Sequence, residues 1–444
     1  MKKKSELLFI SSFPPRACGI ATYSEDLINA IQNKYNHLDI RVCALDSKDG
    51  TNIYPERVKY VLNTSDVQAY FRLASRINED TSIEKIFIQH EFGLFGGEYG
   101  SHILQLLYTI QKPVSITFHT VLPNPDKQRQ AVIQSISSLC KKIVVLTKHS
   151  LHTLETHYGI PSSKIVVIPH GTPAISWEDK YVFKKTHQFG DRPILSTFGL
   201  LSTNKSIETA IHALPDIVKQ FPKAIYLVLG KTHPEIVKRE GELYRTDLES
   251  LVKELNLQSN VLFVNKYLTL HELLNYLKMT DIYLFTSKDP NQTVSGTFAY
   301  AMSCACPIVS TPIPHAKEML QNNSGIIADF QNSIQFSSAI IRLLGDSKLR
   351  AEMGKNAFHQ TRGTVWDNAA ISHVNLLDLH SVNSTTTLRL PDINLQHITR
   401  LTDKFGMIQF SKISSPDIKS GYTLDDNARA LIALCRHYKL TGEQ

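Results

Sequence analysis

Short apolar runs alternate with longer amphipathic stretches through most of the chain. In the first half the apolar runs fall at Leu7–Ser11, Ile40–Ala44, Val58–Leu62, Lys85–Gln89, Val114–Phe118, Ile143–Leu146 and Ile165–Ile168. They are too short for helices, and they are apolar at consecutive positions, as strands covered on both faces are. Between most of them the apolar residues take helical spacing, at Ile20–Asn33, Val67–Ile77, Gly100–Ile110 and His149–Tyr158. Strand–helix alternation of this kind predicts a parallel sheet joined by right-handed crossovers.

The pattern restarts after a polar, lysine-rich bridge at Trp177–Asp191. Strands are predicted at Ile194–Phe198, Ile225–Leu229, Val261–Phe263, Ile282–Phe285, Pro307–Ser310 and Gly325–Ala328. Helices are predicted at Ile207–Gln220, Gly241–Leu255, His271–Met279 and Gly296–Ala305. Two such units in series leave a cleft between the carboxyl ends of both sheets, where ligands of open α/β sheets bind. From Ser333 to Leu377 the chain reads helical, and SVNSTTTL at 381–388 reads as a linker. GYTLDDNARALIAL at 421–434 then opens a helical unit that stops after one helix. A unit that short cannot bury a core alone, so the chain is expected to be part of a longer protein. The expected fold is α/β, with two Rossmann-like parallel-sheet domains facing across a cleft and the start of a helical C-terminal domain. The expected divisions are 1–180, 191–365, a returning helix at 366–380, a linker at 381–395 and an incomplete helical domain at 396–444.

Composition narrows the picture only a little. A length of 444 residues exceeds one ordinary domain, and 42% apolar with 20% charged residues suits a chain that buries sizeable cores. A formal charge of +7 fits an enzyme that handles phosphorylated ligands, and equally a protein that handles none. The basic residues are scattered rather than clustered with aromatics, which argues against nucleic acid as a partner. The six cysteines, at 18, 43, 140, 304, 306 and 435, form no CxxC pair, so reduced, buried thiols are expected rather than a zinc site. The early apolar run LLFIS is too short for a secretion signal or a spanning helix. A cytoplasmic protein is expected, with membrane contact limited to peripheral attachment through basic side chains.

Candidate chemistry gathers where predicted strands end. The loop Ser11–Ala21 carries Arg16 and Gly19 and opens a helix. A glycine there lets the backbone approach a ligand, and free helix-start amides favour an anion. A tight turn with no ligand fits the same residues. This is neither a GxGxxG fingerprint nor a Walker loop, so NAD and ATP folds are disfavoured. His90, His119 and His170 each end or follow a predicted strand, so all three are expected to line one crevice, where imidazole can donate to a sugar hydroxyl or stabilise developing charge. A single histidine in such a place is more often structural. Their spacing is not that of a metal motif. Glu91 begins the glycine-rich loop after His90, of the kind that shapes an acceptor pocket. In the second half Gly199 and Lys205 leave a strand and enter a helix, where a lysine suits a diphosphate, although most lysines are merely solvated. Gln292, Ser295, Gly296 and Thr297 lead into another helix whose amides could meet phosphate oxygens.

At these residues the sequence resembles the retaining, GT-B-fold glycosyltransferases of family 4, and within them the mannosyltransferase-like group. The resemblance spans roughly residues 5–380 and rests on FPPRACGIATYSEDL, GKTHPEIVKREGELYR and QTVSGTFAYAMSCACPIVSTPIPHAKEML. It implies transfer of a sugar from a nucleotide diphosphate sugar, GDP-mannose first among donors, to a saccharide or polysaccharide, with no metal required. It places the donor on the second domain and the acceptor on the first. By resemblance Gly19 lies near the donor phosphates, His119 contacts the transferred sugar, Lys205 pairs with the diphosphate, and Ser295, Gly296 and Thr297 hold phosphate and sugar hydroxyls. Arg16, His90, Glu91 and His170 are the expected acceptor or sugar contacts. Three positions depart from the family pattern: Leu200 stands where many relatives have Arg, and Gln292 and Tyr300 replace the usual glutamate pair. Arg16 or Arg245 is a candidate to supply the missing charge. GYTLDDNARALIAL resembles the opening of an (α/α)-toroid-like domain, in which Asp425 and Asp426 read as helix caps in preference to catalytic carboxylates. Two other readings remain beside transfer: a nucleotide-sugar epimerase on the same fold, and a non-catalytic nucleotide-sugar-binding module.

Overall fold

The computed structural model describes residues 6–46, 52–176, 178, 180–376, 395–412 and 415–442. The chain divides into two compact units, Met1–Leu379 and His380–Gln444.

The first unit holds two parallel sheets. Strands β1 (Glu6–Ser11), β2 (Asp39–Asp46), β3 (Val58–Asn63), β4 (Ile83–His90), β5 (Val114–Phe118), β6 (Lys142–Val145) and β7 (Ile165–Val167) run in the order β3-β2-β1-β4-β5-β6-β7. Strands β8 (Ile194–Phe198), β9 (Ile225–Leu229), β10 (Val261–Val264), β11 (Ile282–Phe285), β12 (Ile308–Ser310) and β13 (Gly325–Ile327) run in the order β10-β9-β8-β11-β12-β13. In each sheet the strand order reverses beside the first strand, between β1 and β4 and between β8 and β11. Loops that leave neighbouring strands toward opposite faces open a crevice at the carboxyl edge. The loops after β1, β4, β8 and β11 are therefore the ones placed to hold a ligand.

Helices cover both faces of both sheets, which is why the strands read as continuous apolar runs; β5, β9 and β11 are buried along their whole length. On one face of the first sheet Leu8, Ile10, Ile86, Ile88 and Ile116 pack against Tyr70, Leu73, Ile103 and Ile136. On the other, Leu7, Phe9, Val42 and Phe87 pack under Tyr23, Leu27 and Ile31 of the helix Gly19–Lys34. The helix Trp366–Asn375 follows the second sheet in sequence yet adds Ala369, Ala370 and Val374 to this first-sheet core. Burying a side chain such as Val374 contributes roughly 1.5–3 kcal/mol and each alanine less, and together they tie this helix to the first sheet.

The thirteen predicted strands all form, with ends shifted by at most two residues. The helix Lys127–Leu139 was not legible, because it buries little more than Val132, Ile133 and Ile136. The helix predicted from Gly241 starts at Leu243, after a separate helix Pro234–Glu240 that stops at Gly241, where φ is 66°. The long helical stretch breaks at Asp346, whose carboxylate caps the helix Ser347–Gln360 by accepting from Leu349 N–H. The predicted linker at 381–388 lies outside the described residues. Of the cysteines, Cys43, Cys140, Cys304 and Cys306 are buried free thiols, whereas Cys18 is half-buried and Cys435 exposed, which corrects the expectation for those two.

The second unit contains a short helix Gln396–Leu401, two antiparallel ladders of two residues per strand, and the helix Leu424–Thr441. Thr423, rather than either aspartate, caps that helix; its hydroxyl accepts from Asp426 N–H and donates to the Asp426 carboxylate, while Asp425 pairs with Arg429. Among the described residues no helix is long and apolar enough to cross a membrane.

Candidate functional site

The second sheet supplies a cation and a helix start. Gly199 ends β8 with φ +136° and Gly230 ends β9 with φ +127°, and a Cβ at Gly230 would lie 2.3 Å from the Gly199 carbonyl oxygen. Only glycines allow these two loops to touch. Past Gly199 the chain makes a short turn, Thr203–Lys205, before the helix Ile207–Gln220. That turn is fixed to the loop after β11, since Thr286 Oγ1 donates to Lys205 O at 2.7 Å and Lys288 N–H to Asn204 O at 3.0 Å. The Lys205 ammonium sits 5.6 Å from the Phe285 ring centroid and 3.7 Å from where a Gly199 side chain would begin. No carboxylate or carbonyl among the described residues accepts from it, and burial pushes its pKa down to about 8.

The helix Gly296–Ser303 begins beside it. Thr297 Cγ2 stands 3.4 Å from the Gly199 Cβ position. Ser295 caps this helix by accepting from Phe298 N–H at 3.4 Å, and its hydroxyl bonds Thr297 Oγ1 at 3.0 Å. The first-turn amides of Gly296 and Thr297 have no helical acceptor, which leaves them for an anion. Gln292 is tied into its own loop, with Oε1 accepting from Ser287 Oγ at 2.7 Å and Nε2 donating to Val294 O at 3.3 Å. Arg245 is buried beneath this edge, where it donates to Gly230 O at 2.8 Å and pairs with Glu242. It holds the Gly230 loop and does not face the cleft as a free charge.

The first sheet presents two neutral histidines, with an arginine and a glutamate in its loops. Gly19 is exposed at the start of its helix, and a Cβ there would meet nothing within 4 Å. Nothing inside the protein requires a glycine at this position. Arg16 donates to Leu45 O at 3.4 Å, and its charge is felt by His233 of the second sheet's loops. His119 Nε2 bonds Gln89 Oε1 at 2.8 Å, and its ring meets the Tyr23 ring edge-on at 4.7 Å. Burial, reinforced by His170, His90 and His373, pushes the His119 pKa down to about 3. His170 donates from Nδ1 to Gly171 O at 2.8 Å and has a pKa of about 4, again from burial. Its Nε2 faces the second sheet: a Cβ on Gly296 would lie 2.7 Å away. Glu91 accepts from Thr120 Oγ1 at 2.6 Å and Phe92 N–H at 2.9 Å, and burial raises its pKa.

His90 departs from expectation. It is wholly buried, stacked on Phe95 and edge-on to Phe92 and Phe118, with neither ring nitrogen bonded. Burial pushes its pKa down to about 3. A histidine in an aromatic box cannot reach a sugar, so only His119 and His170 of the three share the crevice, both against Tyr23.

Contacts across the cleft bring the two edges together. Thr293 Oγ1 donates to His119 O at 3.4 Å, Thr22 and Tyr267 share a hydroxyl contact at 3.2 Å, and Tyr300 Oη donates to Asp26 at 2.7 Å. The Glu318 carboxylate accepts from Lys148 N–H and His149 N–H at the start of the helix Lys148–Tyr158, at 3.2 and 3.4 Å. Gly199, Lys205, Ser295–Thr297 and His170 therefore form one chain of neighbours across the two edges, and His119 joins it through Thr293 and Tyr23. Sequence reasoning missed Tyr23, Asp26, His315 and Trp366. Tyr23 and Asp26 follow Gly19 at helical spacing, a signal easily read as core. His315, whose Nδ1 accepts from Ser295 N–H at 3.2 Å, lay unremarked in STPIPHAKEML.

Two Rossmann-like sheets that meet at their carboxyl edges define a GT-B protein. The sequence model described as "Glycosyltransferase Family 4" matches residues 17–174, and that described as "Glycosyl transferases group 1" matches residues 179–360. The chain belongs to the GT-B glycosyltransferases of family 4. It is 24% identical over 237 residues to a GDP-mannose-dependent monoacylated alpha-(1-6)-phosphatidylinositol monomannoside mannosyltransferase of Corynebacterium glutamicum; that match covers 50% of this chain and 58% of the relative. In structure it resembles a glycosyltransferase from Rickettsia africae, with TM-score 0.67, 15% identity, and coverage of 86% of this chain and 100% of that one. It also resembles Anabaena HepE in complex with UDP, with TM-score 0.66, 15% identity, and coverage of 84% and 99%.

Proposed function

We propose that this chain transfers a hexosyl group, with retention of configuration, from a nucleotide diphosphate sugar to a hydroxyl of a saccharide or polysaccharide. The observation that carries the reading is Lys205, a half-buried ammonium with no protein partner among the described residues, next to the helix-start amides of Gly296 and Thr297. Partial burial makes an unpaired charge less favourable, and a diphosphate at this point would offset that cost. As the bond from the anomeric carbon to the phosphate oxygen breaks, the electron pair moves onto the diphosphate, where Lys205 and the helix start stabilise it. The acceptor oxygen attacks from the same face and its proton passes to the leaving phosphate. His119 and His170, both neutral, offer hydrogen bonds to sugar hydroxyls, with Glu91 and Arg16 on the acceptor side. Mannose from GDP-mannose is the first donor to try, because the Corynebacterium relative carries that donor in its name.

The test is a donor screen by nucleotide release with and without saccharide acceptors. Acceptor-dependent release from GDP-mannose is expected. Epimerised sugar from donor alone, or donor binding without turnover over a broad acceptor panel, would overturn the reading in favour of an epimerase or a binding module.

A further inference from the structure

The helix Gly296–Ser303 does two things at once. Its first turn carries Gly296 and Thr297 beside Lys205, and one turn later Tyr300 leaves the same face toward the first sheet. Tyr300 is buried, and its hydroxyl donates to Asp26 at 2.7 Å while accepting from Trp366 Nε1 at 3.1 Å. Asp26 lies two turns into the helix Gly19–Lys34, on the face that also carries Thr22 and Tyr23. Thr22 contacts Tyr267, and the Tyr23 ring lies 5.1 and 5.2 Å from those of His170 and Trp366. One hydroxyl thus joins three elements: a first-sheet helix, a second-sheet helix and the helix that returns from the second sheet to the first.

We propose that Tyr300, with Asp26 and Trp366, is a positioning residue that fixes the distance between the Gly19 and Gly296 helix starts, and so between acceptor and donor halves of the site. Both helices are rigid over the one or two turns separating the joint from those starts. A change at the joint is carried to the site as a shift of one helix start against the other. Geometry of this kind acts on the step in which two bound reactants meet, far more than on the binding of either one. The hydroxyl has little left for a ligand, since its proton is given to Asp26 and one lone pair to Trp366. Position 300 therefore serves alignment of the sheets. This inference rests on the transfer reading above.

The experiment uses the full chain with Tyr300→Phe, Asp26→Ala, Asp26→Asn and the double variant Tyr300→Phe/Asp26→Ala. Calorimetry with GDP, turnover with GDP-mannose and whichever saccharide the donor screen identifies, and small-angle scattering of the unliganded protein are read together. Tyr300→Phe and Asp26→Ala should each lower kcat about tenfold or more while GDP affinity changes less than about threefold. Asp26→Asn keeps an acceptor oxygen for the hydroxyl and should restore kcat to within about threefold of the parent. The double variant should be no worse than the poorer single one, because both remove the same bond. Scattering should show a larger radius of gyration for the two disruptive variants and not for Asp26→Asn. Losses that multiply in the double variant, or an unchanged kcat in Tyr300→Phe, would overturn the proposal. If the parent turns over no donor, the transfer reading fails by itself, and the scattering comparison still decides whether this joint sets the spacing.

Discussion

The two carboxyl edges are built on the same plan and charged differently. Each has a loop after its first strand, beside the point where strand order reverses, and each loop opens a helix. On the first edge the polar side chains that reach the cleft are held within their own domain: His119 by Gln89, His170 by Gly171, Glu91 by Thr120. Its histidines are neutral because burial makes the charged form costly. On the second edge the Lys205 ammonium and the Gly296 and Thr297 amides have no partners among the described residues. Neutral imidazoles already bonded within their domain select by shape and hydrogen bonding, whereas an unpaired cation asks for an anion. On the proposed reading, the difference puts the leaving diphosphate at the second edge and recognition of hydroxyls at the first.

Removing the charge tests this contrast most severely. Lys205→Met, close in length and uncharged, should lower kcat/KM by about 10²–10³-fold, the usual cost of losing one donor to a developing anion. The pH dependence follows from the same comparison. With a pKa of about 8 in the free protein, Lys205 is protonated near neutrality and loses its proton as pH rises. Affinity for a nucleotide sugar, whose diphosphate diester keeps its charge over this range, should be flat below pH 7 and weaken above pH 8, by up to about tenfold per unit. Lys205→Met should abolish that limb. His119 and His170, with pKa values of about 3 and 4, give no limb between pH 5 and 7. A profile of kcat/KM that breaks near 6.5 would reverse the assignment of charge.

The glycines sharpen the comparison at a smaller scale. Gly296→Ala sets a methyl group 2.7 Å from His170 Nε2, whose ring is held by its bond to Gly171, so the two edges must separate locally. Overpacking of this sort should destabilise the protein by about 1–3 kcal/mol, read by thermal unfolding, and lower activity about tenfold. Gly19→Ala sets its methyl group in open space. It should leave the unfolding temperature unchanged or slightly raised, since alanine favours a helix, while weakening nucleotide binding if the diphosphate approaches this backbone. A loss of stability in Gly19→Ala would mean that the glycine serves the fold.

How much of this was legible in the chain follows from what each signal measures. Continuous apolar runs such as Ile194–Phe198 and Val114–Phe118 report two-sided burial directly, and those strands formed at the expected bounds. Lys205, Ser295 and Thr297 stood out because loop-to-helix junctions at strand ends carry free amides whatever the surrounding sequence. What could not be read was orientation. His90 and His119 both stand at ends of adjacent strands, β4 and β5, yet one faces the aromatic core and the other Gln89 at the cleft. Alternation along a strand says which neighbours share a face, not which face is wet when both are covered. Arg245 failed in the same way, since a helix-start arginine looks exposed until Gly230 and Glu242 are seen around it. Tyr300 and Asp26 are 274 residues apart, and no local pattern couples positions so distant.

The smallest expected effect separates the two neighbouring histidines. His90 carries two ring nitrogens without partners in a box of Phe92, Phe95 and Phe118. Leaving a polar atom buried and unpaired costs about 1–3 kcal/mol, so an apolar ring of similar shape should be tolerated or favoured. His90→Phe is therefore expected to change unfolding free energy by no more than about 1 kcal/mol in either direction, because relief of the unpaired nitrogens is set against one extra ring atom near Gly100. Its kcat/KM should stay within about twofold of the parent. His119→Phe loses the bond to Gln89 at the cleft and should cost at least tenfold in kcat/KM, by the measure of one lost hydrogen bond at a reacting centre. Folded His90→Phe protein with a comparable loss would place His90 in contact with substrate, and the first edge would then be less dry than its aromatic box implies.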